Sequence, residues 1–169
     1  MLQLRLAQFR YDDQVDKAFY QVALSSCQRF AGDVAGSKVT AQQARDGLEG
    51  LYKDQPDSAF SATLLAQAYA ELGEKDQAVR AAERAIMLAS KDSAAEYRPM
   101  QEEALTMVQI RLGHRGAAIS TLKRLLQTPY NGWFLGPPPV TPALLRLDPI
   151  WDPLRAVPAF QKLCAEKQP

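Results

Sequence analysis

The fold is decided by residues 65–86, which read LAQAYAELGEKDQAVRAAERAI. Apolar residues recur three and four positions apart on both sides of Leu72-Gly73, which is the spacing of two helices that each bury one face. Gly73 is a typical helix end, because glycine adopts the left-handed conformation without strain. Residues 74–76 are polar and predict a tight turn, while Ala66 and Ala78 are small enough for two helix backbones to meet. The stretch therefore predicts an antiparallel helical hairpin.

The same spacing returns from Leu105 onward, and 40 residues separate the two glycines. The matching positions of this second copy are Leu112-Gly113, Ala118, Leu122 and Leu125. Thr106 and Gln109 stand where the first copy has a small and an aromatic residue, so the second copy is a weaker match. A third copy is limited to a second helix, because the helix near residues 16–30 lacks the Leu-Gly ending. Its matching positions are Ala44, Leu48, Leu51 and Pro56.

The hairpin at residues 65–86 and its copies resemble the tetratricopeptide repeat family, whose repeats are about 34 residues long. The resemblance covers about residues 15–129. It implies an all-α fold of antiparallel helix-hairpin repeats in a right-handed solenoid, preceded by an N-terminal segment over residues 1–14. Residues 130–169 are then a proline-rich C-terminal capping segment. The alternative is a generic helical bundle with alanine-rich contacts.

Six helices are predicted from periodicity and from start and stop residues. Gly32, Gly36 and Ser37 predict a loop, and Thr40 predicts the N-cap of the second helix. The fifth helix spans residues 94–112 or begins nearer Arg98, because a proline at position 99 fits only the first turn. The third helix opens after Asp57 or Ser58 and ends at Leu72-Gly73. The other predicted helices span residues 14–31, 41–54, 75–90 and 115–127.

The C-terminal segment predicts short helices that begin after Thr141, Asp148 and Asp152, where a capping side chain precedes a proline. A last helix is predicted over residues 157–167. The segment is similar to the C-terminal ends of bacterial tetratricopeptide proteins that follow serine/threonine kinase or DNA-binding regulator domains. A solenoid exposes its last apolar face. The residues expected to cover that face are Trp133, Phe134, Leu144, Leu147, Trp151 and Phe160.

Composition narrows the classes of function. The 169 residues carry a formal net charge of +1, which does not favour a nucleic-acid surface. No apolar run approaches the ~20 residues of a membrane span, and the first residues are too charged for a signal peptide. A soluble, cytoplasmic protein is expected. Cys27 and Cys164 are far apart in sequence and are predicted to be reduced, buried thiols.

Residues with catalytic potential are few. His114 is the only histidine, in a predicted turn, so a metal site or a histidine-activated nucleophile has little support. Asp12-Asp13 and Glu102-Glu103 are adjacent carboxylates that do not share a helix face, and they are expected to be solvated. No phosphate-binding glycine motif is present. The sequence therefore predicts a protein without catalytic, cofactor or metal-binding residues.

The resemblance implies that the first helices of successive hairpins line a concave groove for an extended or helical peptide. The predicted groove residues are Phe60, Thr63, Gln67, Glu71, Met100, Glu103, Met107, Ile110 and Arg111. Alternatively, Met100, Met107 and Ile110 pack against the C-terminal segment. Relatives that bind acidic C-terminal tails use a Lys/Asn/Arg clamp, but this sequence has Thr63, Gln67 and Met100 there.

The predicted function is a non-catalytic protein–protein interaction scaffold. The alternative is the C-terminal regulatory or sensor domain of a multidomain bacterial signalling protein. The partner is then a protein or peptide, or another domain of the same parent chain. The oligomeric state stays open.

Overall fold

The computed structural model describes residues 14–54, 56–89, 98–130 and 139–165. Within these ranges the chain is helical and contains no strand, which confirms the all-α prediction. The predicted N-terminal segment up to residue 13 and the pair Trp133-Phe134 lie outside the described residues. The helices are α1 (Gln14–Phe30), α2 (Val34–Asp54), α3 (Ala59–Leu72), α4 (Lys75–Ala89), α5 (Arg98–Arg111), α6 (Arg115–Leu125), α7 (Pro142–Leu147), a 3₁₀ helix (Pro149–Leu154) and α8 (Pro158–Ala165).

The chain forms two compact units, Met1–Leu88 and Ala89–Pro169. In the first unit α1 packs against α2 and α3, and α2 also packs against α3. In the second unit α5 packs against α6, and α8 contacts α6 and α7. Consecutive helices therefore pair within each unit. The boundary between the units falls at the end of α4.

Consecutive helices are joined by the same turn in three places. Gly32, Gly73 and Gly113 have φ angles of 85°, 82° and 82°, so each lies in the left-handed region. In each turn the glycine N–H donates to the carbonyl three residues back, and the next N–H donates to the carbonyl five residues back, at 2.7–3.2 Å. This paired bonding satisfies carbonyls that the helix end would otherwise leave unbonded. The predicted helix ends at Gly73 and Gly113 are confirmed. The first helix also ends just before Gly32, as predicted, but the likeness of this turn to the other two was missed.

The turn at Gly32 changes which residues of the partial third copy correspond to those of the other two copies. Ser37 takes the place of Ala78 and Ala118, and all three are fully buried. The prediction placed Ala44 in that role, seven residues later and 34 residues before Ala78, which is the usual repeat length. The turn glycines are instead separated by 41 and 40 residues. Seven residues are close to two helical turns, so the misaligned positions still fall on the buried face of α2.

The start of α2 differs from the prediction. The helix begins at Val34 instead of after Thr40, so Gly36, Ser37 and Thr40 lie inside it. The reason is Asp33, whose Oδ1 accepts a hydrogen bond from the Gly36 N–H at 2.8 Å. The Asp33 carbonyl also accepts from the Ser37 N–H at 3.0 Å. Asp33 thus caps the helix, and this local bonding outweighs the low helix propensity of glycine.

Predicted capping residues begin two other helices. Ser58 accepts a hydrogen bond from the Ser61 N–H before α3, and Thr141 accepts one from the Leu144 N–H before α7. Asp148 caps the 3₁₀ helix. A separate helix after Asp152 was wrongly predicted, since Pro153 continues the same 3₁₀ helix.

The core of the second unit joins α6 to the C-terminal segment. Its buried residues are Ala118, Leu122, Val140, Leu145, Trp151, Leu154, Phe160 and Leu163. Trp151 and Phe160 are 3% and 1% exposed, as expected of covering residues. Leu147 is 78% exposed, so its predicted covering role was wrong. The C-terminal segment is therefore part of the folded core of this unit.

Candidate functional site

The predicted groove residues of α3 are largely enclosed. Thr63 is buried and its hydroxyl donates to the Ala59 carbonyl at 2.8 Å. Phe60 is half-buried, and its ring centroid lies 6.0 Å from that of Phe19 on α1. Gln67 is half-buried, and its Nε2 atom is buried without a hydrogen-bond partner among the described residues. This face of α3 is therefore mostly used for packing within the unit.

Glu71 is the most constrained of these residues. Its carboxylate is 6% exposed and accepts hydrogen bonds from Arg29 on α1 and from the Ser37 hydroxyl on α2. The Ser37 carbonyl in turn accepts from the buried Ser25 hydroxyl at 2.9 Å. The carboxylate thus links three helices. Its Oε1 atom accepts from both groups inside the unit, and the side chain is buried, so this carboxylate is not offered to a peptide.

The predicted groove residues of α5 divide between the interior and the surface. Glu103 is 5% exposed, and the Tyr130 hydroxyl donates to its carboxylate at 2.9 Å. The same hydroxyl oxygen accepts from the Val140 N–H at 3.1 Å. Burial and the nearby Glu103 carboxylate raise the pKa of Tyr130 well above its usual range, so the phenol remains a donor. This contact ties α5 to the start of the C-terminal segment.

The remaining residues of this set are less enclosed. Ile110 is partly buried and packs against the core of the second unit, as the alternative prediction proposed. Met100 and Met107 are half-buried, and Arg111 is exposed. The structure thus brings Glu103 and Ile110 against residues of the C-terminal segment, while Arg111 faces solvent.

The prediction that Glu102 and Glu103 are solvated was wrong. Glu102 is 4% exposed, and its carboxylate accepts from Arg98 at 3.1 Å and from Arg124 on α6. A buried carboxylate is tolerated when cationic donors compensate for its lost hydration. Arg124 lies 22 positions away in the sequence, so spacing along α5 could not reveal the pair.

Two other sequence predictions concern reactive side chains. His114 is exposed beside the turn glycine, as predicted. Cys27 and Cys164 are free thiols, but Cys27 is exposed, so its predicted burial was wrong. Cys164 is half-buried, and desolvation raises the pKa of its thiol, which makes it less reactive.

A cleft of about 390 Å³ lies between α2, α3 and α4, in the first unit. The sequence prediction missed it, because three helices contribute to its walls. The sequence feature that could have indicated the cleft is the spacing of side chains on α2 and α4, which are the second helices of their hairpins. Residues at intervals of three and four share one helix face. The lining residues are Glu49, Tyr52, Lys53, Ala62, Leu65, Tyr69, Gln77, Arg80, Ala81 and Arg84.

The floor of this cleft is apolar and its rim carries charge. Ala62 and Leu65 of α3 are buried, whereas Lys53 and Arg80 are exposed. The Tyr69 hydroxyl donates to Glu49 at 2.8 Å. Burial, followed by the Glu49 carboxylate, raises the pKa of Tyr69 to about 12. The phenol is therefore neutral at physiological pH and keeps this hydrogen bond.

The cationic side chains at the rim form few or weak ion pairs with other described residues. Among the described residues Lys53 and Arg80 have no ion-pair partner. Arg84 pairs with Asp57 at 2.9 Å, but the Asp57 side chain is 83% exposed, so this pair is weak. An apolar floor between unpaired cations suits a ligand that combines an apolar group with negative charge.

Over the described ranges, no group of three or more His, Cys, Asp or Glu residues is arranged to hold a metal ion. The helices described are too short or too polar to cross a membrane. Comparisons of the chain with protein-family models, with curated proteins and with solved structures give no match.

Proposed function

We propose that this chain is a non-catalytic scaffold of tetratricopeptide-like helical repeats that binds a peptide or a protein segment. The observation that carries the proposal is the recurrence of one turn, at Gly32, Gly73 and Gly113, each between two consecutive helices. Each turn is followed by a fully buried small residue, at Ser37, Ala78 and Ala118. Repeats of this kind build extended surfaces that bind other chains.

The positions of charged side chains also favour a binding role over catalysis. The carboxylates of Glu71 and Glu102 are bonded to arginines of neighbouring helices, and Glu103 is bonded to Tyr130. Carboxylates used in this way hold helices together and are not available as general acids or bases. The exposed cations of the α2–α4 cleft are available for recognition of a partner instead.

The proposal moves the binding surface away from the predicted groove. Thr63, Glu71 and Glu103 of that groove are buried, so a peptide would have to displace contacts inside the units to reach them. The cleft between α2, α3 and α4 needs no such displacement, because Lys53 and Arg80 are exposed. The proposed scaffold function therefore depends on the faces of α2 and α4 that line this cleft.

Selection from a random peptide library displayed on phage, with the whole chain as bait, tests the proposal. A scaffold of this kind should enrich related sequences, and synthetic peptides of those sequences should bind with one-to-one saturation in calorimetry. The same chain unfolded in urea is the matched control. If the folded chain enriches no sequence beyond this control, the proposed function is wrong.

A further inference from the structure

We infer that the cleft between α2, α3 and α4 binds a peptide segment in which acidic residues flank one large apolar side chain. This inference rests on the proposed function and names the chemical class of its partner. The cleft has a volume of about 390 Å³. That lies in the range of about 300–1,000 Å³ typical of ligand pockets, so it accommodates a leucine, phenylalanine or tryptophan side chain.

The walls come from two helix faces of regular spacing. Glu49, Tyr52 and Lys53 lie at i, i+3 and i+4 on α2. Gln77, Arg80 and Ala81 have the same spacing on α4, and Arg84 follows at i+7. Between them α3 supplies a floor of Ala62, Leu65 and the ring of Tyr69. The floor thus favours an apolar side chain of a partner, whereas polar contacts are possible only along the edges.

The charge at those edges is unbalanced in favour of cations. Lys53, Arg80 and Arg84 face a single lining carboxylate, that of Glu49. This carboxylate already accepts from the Tyr69 hydroxyl at 2.8 Å, and it lies 3.9 Å from the Arg45 guanidinium. The part of the rim that is free to contact a partner is therefore positive. Charge complementarity of this kind favours acidic partners and disfavours basic ones.

A peptide fits these positions better than a small carboxylate does. A pocket for a small molecule usually contains a few polar groups that converge on the ligand. Here the floor is apolar, while Lys53 and Arg80 are exposed at the rim. Their charges lie where a chain would continue beyond the cleft on either side of a buried anchor. The arrangement thus matches an apolar anchor with acidic neighbours.

Two variants test the two parts of this inference. The double variant Lys53→Glu with Arg80→Glu reverses the free rim charges, and both positions are exposed, so folding should be unaffected. Ala81→Trp fills the cleft from the partly exposed side of α4. The matched control is Lys38→Glu with Arg115→Glu, which makes the same change of charge at exposed residues outside the cleft. Circular dichroism checks that all of them remain helical.

Peptides selected with the unchanged chain provide the probe. They should contain acidic residues beside a large apolar residue, and their affinity should fall as salt increases. The rim variant should weaken binding about tenfold or more, because it replaces the attraction between opposite charges by repulsion. Ala81→Trp should weaken binding by a similar factor, because the buried apolar anchor of a partner contributes much of the binding energy at such sites. The control variant should bind as the unchanged chain does.

The outcomes separate this inference from the proposed function. If peptides are selected but bind equally well to the rim variant or to Ala81→Trp, the cleft is not their site and the inference is wrong, although the scaffold function stands. Selection of basic or uncharged peptides would also overturn it. If no peptide is selected, the scaffold function itself fails and the inference fails with it. If the control variant loses as much binding as the rim variant does, the loss is explained by the overall charge of the protein. That result would show that the cleft is not the binding site.

Discussion

Two substitutions of glycine by alanine in the first unit should change stability in opposite directions. Gly73 has a φ of 82°, and a Cβ added there would meet nothing within 4 Å, so the cost of Gly73→Ala is conformational and not steric. Placing an L-residue in the left-handed region costs roughly 1–2 kcal/mol. Gly50 lies inside α2, and a Cβ there also meets nothing within 4 Å. Gly50→Ala should therefore stabilise the fold by about 0.5–1 kcal/mol, through the lower entropy of the unfolded chain.

The expected difference between the two variants is about 2 kcal/mol, which is measurable by urea unfolding followed by circular dichroism. The midpoint should fall for Gly73→Ala and rise for Gly50→Ala, with similar slopes. Gly32→Ala and Gly113→Ala should behave as Gly73→Ala does, because the three turns share one hydrogen-bonding pattern. If Gly73→Ala left the midpoint unchanged or raised it, the left-handed turn would not be the feature that ends these helices.

Three further changes probe the interior of the units. Trp151→Ala should lower the free energy of unfolding by about 3–5 kcal/mol, because this side chain is 3% exposed within the core of the second unit. A loss under about 1 kcal/mol in denaturant unfolding would contradict that placement. Glu71→Ala should lower the free energy of unfolding by about 2–3 kcal/mol, since it leaves the half-buried Arg29 without its carboxylate partner. Asp57→Ala breaks an exposed ion pair and should change the free energy of unfolding little in the same measurement. The pKa of Tyr69 is raised from 10 to about 12, so its contribution to stability is complete below pH 10 and is lost as the pH rises through 12. Tyr69→Phe should remove that part of the pH dependence of unfolding, and an unchanged dependence would refute the burial of the phenol.

Local signals in the sequence were sufficient for most helix ends. Gly73, Gly113, Ser58 and Thr141 act through bonds to residues at most five positions away, so the information that sets each end is contained in a short segment. The all-α class followed from the same periodicity. The start of α2 was missed because Asp33 was not considered as a cap, although its bond to Gly36 is equally local.

Features that depend on distant residues could not be predicted from spacing. The burial of Glu102 requires Arg124 of the next helix, and the burial of Glu103 accompanies a bond from Tyr130 beyond α6. A pair of adjacent glutamates in isolation is most often solvated. The α2–α4 cleft was missed for the same reason, since its floor and its two walls come from three helices.

The buried carboxylates explain why polar residues of the first helices are a poor guide to the proposed binding surface. Glu71 joins α3 to α1 and α2, while Glu102 joins α5 to α6. A buried acid with only one arrangement of donors penalises other packings, because any shift of a helix leaves a charge unpaired. Polar groups on these faces thus select the packing of the helices, whereas two exposed cations at the cleft, Lys53 and Arg80, lie on α2 and α4. A partner of this chain is therefore expected to approach the second helices of the first unit, where Lys53 and Arg80 remain exposed.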